Sequence, residues 1–139
     1  MKVGLDTNVM VRLIVDDDSP QVAAVHRLAH DHHLIVTSTA LLETEWVLRR
    51  VLRLERARIL EGFERLLGLK TVTFLNREPI EIAMLAFRAG CDFADALHAI
   101  SAKDIDVFAT FDRAFARQAK ALDYLPSIRV LPATGILSA

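Results

Sequence analysis

The chain is predicted to be an α/β domain on a mostly parallel sheet of about five strands, and two observations predict it. Short runs rich in β-branched residues, KVGLD, LIVTS, KTVTFL, DVFATF and IRVLP, alternate with segments of helical period along the sequence, the order expected of strands joined by crossover helices. No repeat, low-complexity tract or linker interrupts the 139 residues, a length that fills one domain core and is too short for two ordinary ones. Residues 1–139 are therefore read as a single domain.

The elements follow in order. KVGLD is the first strand, and NVMVRLIV a short helix that ends in the acidic loop DDDS. Pro20 suits the first position of the next helix, PQVAAVHRLAHDH, because its missing N–H is not needed there. LIVTS is the second strand. It leads into one long helical pattern, TALLETEWVLRRVLRL, with Ser38 or Thr39 as its cap. ERARILEGFERLLGL is a further helix closed by Gly68, and KTVTFL the third strand. Pro79 opens PIEIAMLAFRAG and Gly90 closes it; Asp92 caps DFADALHAISAK. DVFATF, the helix DRAFARQAKAL and the short strand IRVLP complete the chain.

Composition excludes several classes. No apolar run reaches the roughly 18–20 residues of a membrane helix, and the N-terminus lacks the basic-then-apolar form of a signal peptide. A single cysteine, Cys91, rules out an intrachain disulfide framework and fits a reducing, cytoplasmic location. Apolar content is 53%, which implies a well-filled core and apolar surface covered by another subunit or a partner. A net charge of −1 gives no global basic field for nucleic acid. Thirteen of the 17 basic residues are arginines, and five of them crowd RRVLRLERAR, Arg49 to Arg58. Such a run is ordinarily a solvated helix face, with phosphate contact as the alternative.

Carboxylates stand where a buried pattern would place apolar residues. Asp6 ends the first strand, Glu43 and Glu45 interrupt a helix, Asp92 and Asp95 lie one turn apart at a helix start, and Asp112 follows the fourth strand. Ligands of parallel sheets sit beyond the C-terminal strand ends, where Asp6 and Asp112 fall. Helix capping accounts for Asp92 fully and for Asp6 in part, but not for Asp95 among Phe93, Ala94, Ala96, Leu97 and Ile100. Carboxylates gathered in a partly dry cleft either protonate or collect a cation. Oxygen-only donors select Mg²⁺ or Mn²⁺ over Zn²⁺, and such an ion suits phosphodiester hydrolysis. Periodicity puts Glu43 and Glu45 on opposite borders of the apolar stripe and does not choose between them.

Four pieces, LDTNVMVRL, LLETEWVLRR, DFADALHAISA and ATFDRAF, together resemble the PIN-domain ribonucleases of the VapC type, the toxin half of toxin–antitoxin pairs. The resemblance covers essentially the whole chain. It implies a three-layer α/β/α sandwich and a Mg²⁺- or Mn²⁺-dependent endoribonuclease that dimerises and is inhibited by a small antitoxin protein. Residue by residue it implies catalytic acids at Asp6, Glu43, Asp95 and Asp112, with Asp92 matching an acid carried one turn earlier. Asp6, Asp95 and Asp112 would hold the metal, Asp92 would serve a second one, and Glu43 would hold or orient a water. Asn8 and Thr110 match polar positions that orient the acids or waters.

Other readings fit less well. A haloacid-dehalogenase-like phosphatase needs a second acid two residues after Asp6, where Asn8 stands, and a response-regulator receiver needs a lysine that ATFDR lacks. The stronger alternative is a PIN-like interaction module without nuclease activity. His26 and His30 share an i,i+4 face but have no third ligand for zinc. Trp46, Val47, Val51 and Leu54 read as core or as a dimer seam. The expected partners are an RNA substrate, the antitoxin and a second copy of the chain.

Overall fold

A computed structural model describes residues 1–137. The chain divides into two compact units, Met1–Arg77 and Glu78 onward, and each holds parallel strands with flanking helices.

In the first unit, β1 (Lys2–Gly4), β2 (His33–Val36) and β3 (Val72–Phe74) pair in that order, all parallel. Val3 lies opposite Leu34, and Ile35 opposite Thr73. The crossovers are α1 (Thr7–Ile14) with α2 (Pro20–Asp31), then α3 (Ser38–Trp46) with α4 (Arg56–Leu67). Ser19 caps α2 by accepting the Val22 N–H at 3.2 Å, with Pro20 at the first helical position. The core gathers Met10 and Ile14 of α1, Leu34 and Val36 of β2, Leu41 of α3, and Ile59 and Phe63 of α4, all fully buried. Each contributes about 1.5–3 kcal/mol by leaving water.

The C-terminal end of α1 is seated on α4. Arg58 donates to the Ile14 carbonyl at 3.1 Å, and Arg65 to those of Leu13 and Ile14 at 3.2 Å. These guanidinium groups satisfy carbonyls that a helix end leaves without partners and complement its dipole. Between them Gly62 lets the backbones close in, for a Cβ there would lie 2.6 Å from Ile14 Cγ2.

The second unit contains α5 (Arg77–Arg88, begun at the boundary), α6 (Phe93–Ser101), β4 (Phe108–Thr110), α7 (Arg113–Ala119) and β5 (Ile128–Val130). β4 and β5 pair in parallel, Ala109 opposite Arg129. Phe87 and Phe93 meet edge-to-face at 5.8 Å between ring centres, as do Phe108 and Phe115 at 6.5 Å. Gly90, at φ +111°, ends α5 in a conformation that side chains resist.

The α/β class and the five parallel strands are as expected, paired as a three-stranded and a two-stranded sheet, each pairing only three residues deep. Other expectations are corrected. The cap of α3 is Thr37, which accepts the Ala40 N–H at 3.2 Å, not Ser38 or Thr39. α5 opens at Arg77, two residues before Pro79. The long helix breaks after Trp46 into a π-helical segment, Val47–Val51. There the Val47 N–H is shared by the Glu43 and Thr44 carbonyls, and the Leu52 N–H bonds back to Val47. Thr44 also turns its hydroxyl onto the Ala40 carbonyl at 2.7 Å, a contact that loosens and bends helices. Trp46 (53% exposed) and Val51 (58% exposed) are not core, the first of the two readings given for them. Among the described residues no helix is long and apolar enough to cross a membrane.

Candidate functional site

The first group of candidate residues gathers where β1 runs out. The Leu5 N–H makes the last ladder bond, to the Ile35 carbonyl at 3.1 Å, and the chain then leaves the sheet at Asp6. Asp6 is extended (φ −80°, ψ 163°) and caps α1, its Oδ1 accepting the Thr7 N–H at 2.8 Å. It is thus a cap and also lines a cavity of about 360 Å³ together with Thr7, Asn8, Arg12, Gln21 and Glu43. The π-helical segment contributes Val47 to the wall and is followed there by Leu52.

The two glutamates of α3 part company. Glu43 is exposed into this cavity, whereas Glu45 is 1% exposed and receives Arg49 Nε at 2.7 Å. Arg49 is one of the crowded arginines, and Arg58, on the Ile14 carbonyl, is another. Both therefore make bonds inside the fold. Arg12 and Gln21 were not singled out from sequence. Arg12 Nε donates to Gln21 Oε1 at 3.1 Å, and its Nη1 to Asp17 at 3.0 Å. The signal available was a lone cation one turn after Asn8 in an otherwise apolar helix.

The second group lies at the starts of α6 and α7. Asp92 caps α6 by accepting the Asp95 N–H at 3.0 Å. Asp112 caps α7, accepting the Phe115 N–H at 2.9 Å, and its own N–H donates to Thr110 Oγ1 at 3.0 Å. Thr110 therefore holds the turn that presents Asp112. Asp95, half-buried one turn into α6, has its carboxyl pushed above the usual aspartate range, first by burial and then by the charges of Asp92 and Asp112. His98, exposed one turn further on, pulls weakly the other way. The structure thus brings Asp6, Asn8 and Glu43 together in one unit, and Asp92, Asp95 and Asp112 together in the other.

The donors in both groups are oxygens, and the mutual repulsion at Asp95 is what a cation relieves. Hard divalent ions suit such donors. Among the described residues no three His, Cys, Asp or Glu side chains close into a ready metal cage. The histidines scatter onto separate partners: His26 on Asp16, His30 on Asp31, and His33 on Thr73. Cys91 is buried.

Residues 3–121 match the model of the PIN domain, a span that includes every candidate acid. No curated protein matches the chain. On that match the chain belongs to the PIN-domain family, whose members are generally nucleases.

Proposed function

We propose that the chain is a Mg²⁺- or Mn²⁺-dependent endoribonuclease of the VapC type, the toxin component of a toxin–antitoxin pair. One observation carries this reading furthest. In a family of nucleases, Asp95 is held half-buried against Asp92 and Asp112, its charge disfavoured by all three influences. A fold maintains that arrangement at a cost in stability, and a divalent cation compensates it. By the family resemblance Asp95 and Asp112 would hold the ion in the second unit, with Asp92 available to a second one, and Asp6 would be the metal-holding acid of the first unit. When bound, the ion supplies an activated water and stabilises the leaving oxyanion.

The chain's own residues do the rest. Glu43, exposed in the cavity beside Asp6, would hold or orient the attacking water. Asn8 and Thr110 orient acids, Thr110 through its bond to the Asp112 backbone. RNA is the substrate, the antitoxin and a second copy of the chain are the partners, and the cytoplasm is the location. The 53% apolar content supports the protein partners.

The test is cleavage of a structured RNA pool with Mg²⁺, with Mn²⁺ and with EDTA, alongside Asp95→Asn. Cleavage that needs the ion and is lost in the variant is the expected result. The competing reading is an interaction module without nuclease activity. Absence of both cleavage and Mn²⁺ binding would establish it instead.

A further inference from the structure

A groove in the second unit has the features of a strand-accepting edge. It encloses about 640 Å³ between α7 and β5, and the run from Leu125 to Val130 lines it. The Ser127 carbonyl accepts the Phe108 N–H at 2.8 Å, and the Leu131 N–H donates to the Thr110 carbonyl at 2.7 Å. In a parallel ladder alternate residues address the partner strand. The N–H and C=O groups of Ile128 and Val130 therefore point away from β4. Among the described residues β5 pairs with β4 alone, so this edge has open donors and acceptors.

Side chains select what fits there. The floor is aliphatic, from Leu125, Ile128 and Val130, with the small Ala116 and Ala119 of α7 beside it. Arg117, Lys120 and Arg129 are its charged lining residues, and no carboxylate is among them. Edge strands are commonly guarded by cations against pairing with their own kind, and the same cations favour an acidic partner. Nucleic acid fits less well, since no aromatic ring lines the groove for base stacking.

The geometry points to β5 as a docking edge for an extended acidic segment of a partner protein, which adds as a strand to Ile128–Val130 with aliphatic side chains toward the floor and its negative charge matched to the cations Arg117, Lys120 and Arg129 around the groove. This mode takes affinity from main-chain hydrogen bonds and specificity from alternate side chains. It does not depend on the nuclease reading.

The test uses the full chain and a fluorescein-labelled peptide, Glu-Val-Glu-Ile-Glu-Val-Glu, followed by fluorescence anisotropy. Saturable binding is expected, weakened about tenfold or more by Arg117→Ser with Lys120→Ser and by Val130→Pro, a readily resolved change in Kd. Proline at 130 removes an outward N–H and leaves the bonds to β4 in place. A peptide N-methylated at alternate residues makes the same test without altering the protein and should not bind. No binding, or binding indifferent to both N-methylation and Val130→Pro, overturns the proposal. So does a single-stranded RNA that competes for the groove and loses affinity with the charge variants alone, which would assign the groove to nucleic acid.

Discussion

Replacing Glu43 and Glu45 one at a time separates two acids that stand two residues apart on one helix. Glu45 is 1% exposed and bonded to Arg49 at 2.7 Å, with Arg49 itself 28% exposed. Glu45→Met keeps the volume but leaves the guanidinium without its carboxylate. Breaking a fully buried pair costs about 3–5 kcal/mol. Because water still reaches Arg49, the expected loss here is smaller, about 2 kcal/mol. At about 3–4 °C per kcal/mol for a chain of this size, Tm falls by roughly 6–8 °C. Glu43 is exposed in the Asp6 cavity, so Glu43→Gln should leave Tm within about 2 °C, as surface changes usually do. Cleavage should respond in the opposite sense: lost in Glu43→Gln and retained in Glu45→Met below its melting range. Calorimetry and RNA cleavage on the same preparations decide the matter. A Glu43 variant that melts early and still cuts, or a stable and inactive Glu45 variant, would refute the division of roles.

Four further outcomes are expected. Asp95 has a folded-state carboxyl raised above the ordinary 3.8, so protonation favours the folded state and the destabilisation grows as pH rises through the raised value; in EDTA, Asp95→Asn should melt above the parent at pH 7 and match it below about pH 3. Mn²⁺ should then raise the melting temperature of the parent more than that of the variant, and equal shifts would argue against Asp95 as a ligand. Gly62→Ala gains about 1 kcal/mol of helix propensity but drives a Cβ to 2.6 Å from the fully buried Ile14, an overpacking worth about 1–3 kcal/mol; urea titration should show a net loss, and a gain would mean that α1 yields freely. Thr37→Ala should cost about 1 kcal/mol through the lost cap, while Ser38→Ala and Thr39→Ala stay within about 0.5 kcal/mol.

The order of strands and helices was legible in the sequence because it rests on local chemistry. β-branched runs, Ser19 before Pro20, Asp92 before α6 and Gly90 after α5 act within a few residues of themselves. The acids at Asp6 and Asp112 were visible for the same reason, each standing just past a strand and capping the helix that follows. The π-helical break was not, since it depends on how carbonyls are shared around Val47, nor was the exposure of Trp46 and Val51.

What the sequence by itself determined is the α/β class, the succession of elements and the types of residue available for chemistry. Only the tertiary structure decided that five strands pair as three and two, that Arg58 and Arg65 close the end of α1, and that Glu45 is buried on Arg49 while Glu43 lines the cavity of Asp6. The physical reason is range. Propensity and capping are set by neighbours along the chain, whereas burial, pairing and the raised carboxyl of Asp95 are set by groups that the fold brings near.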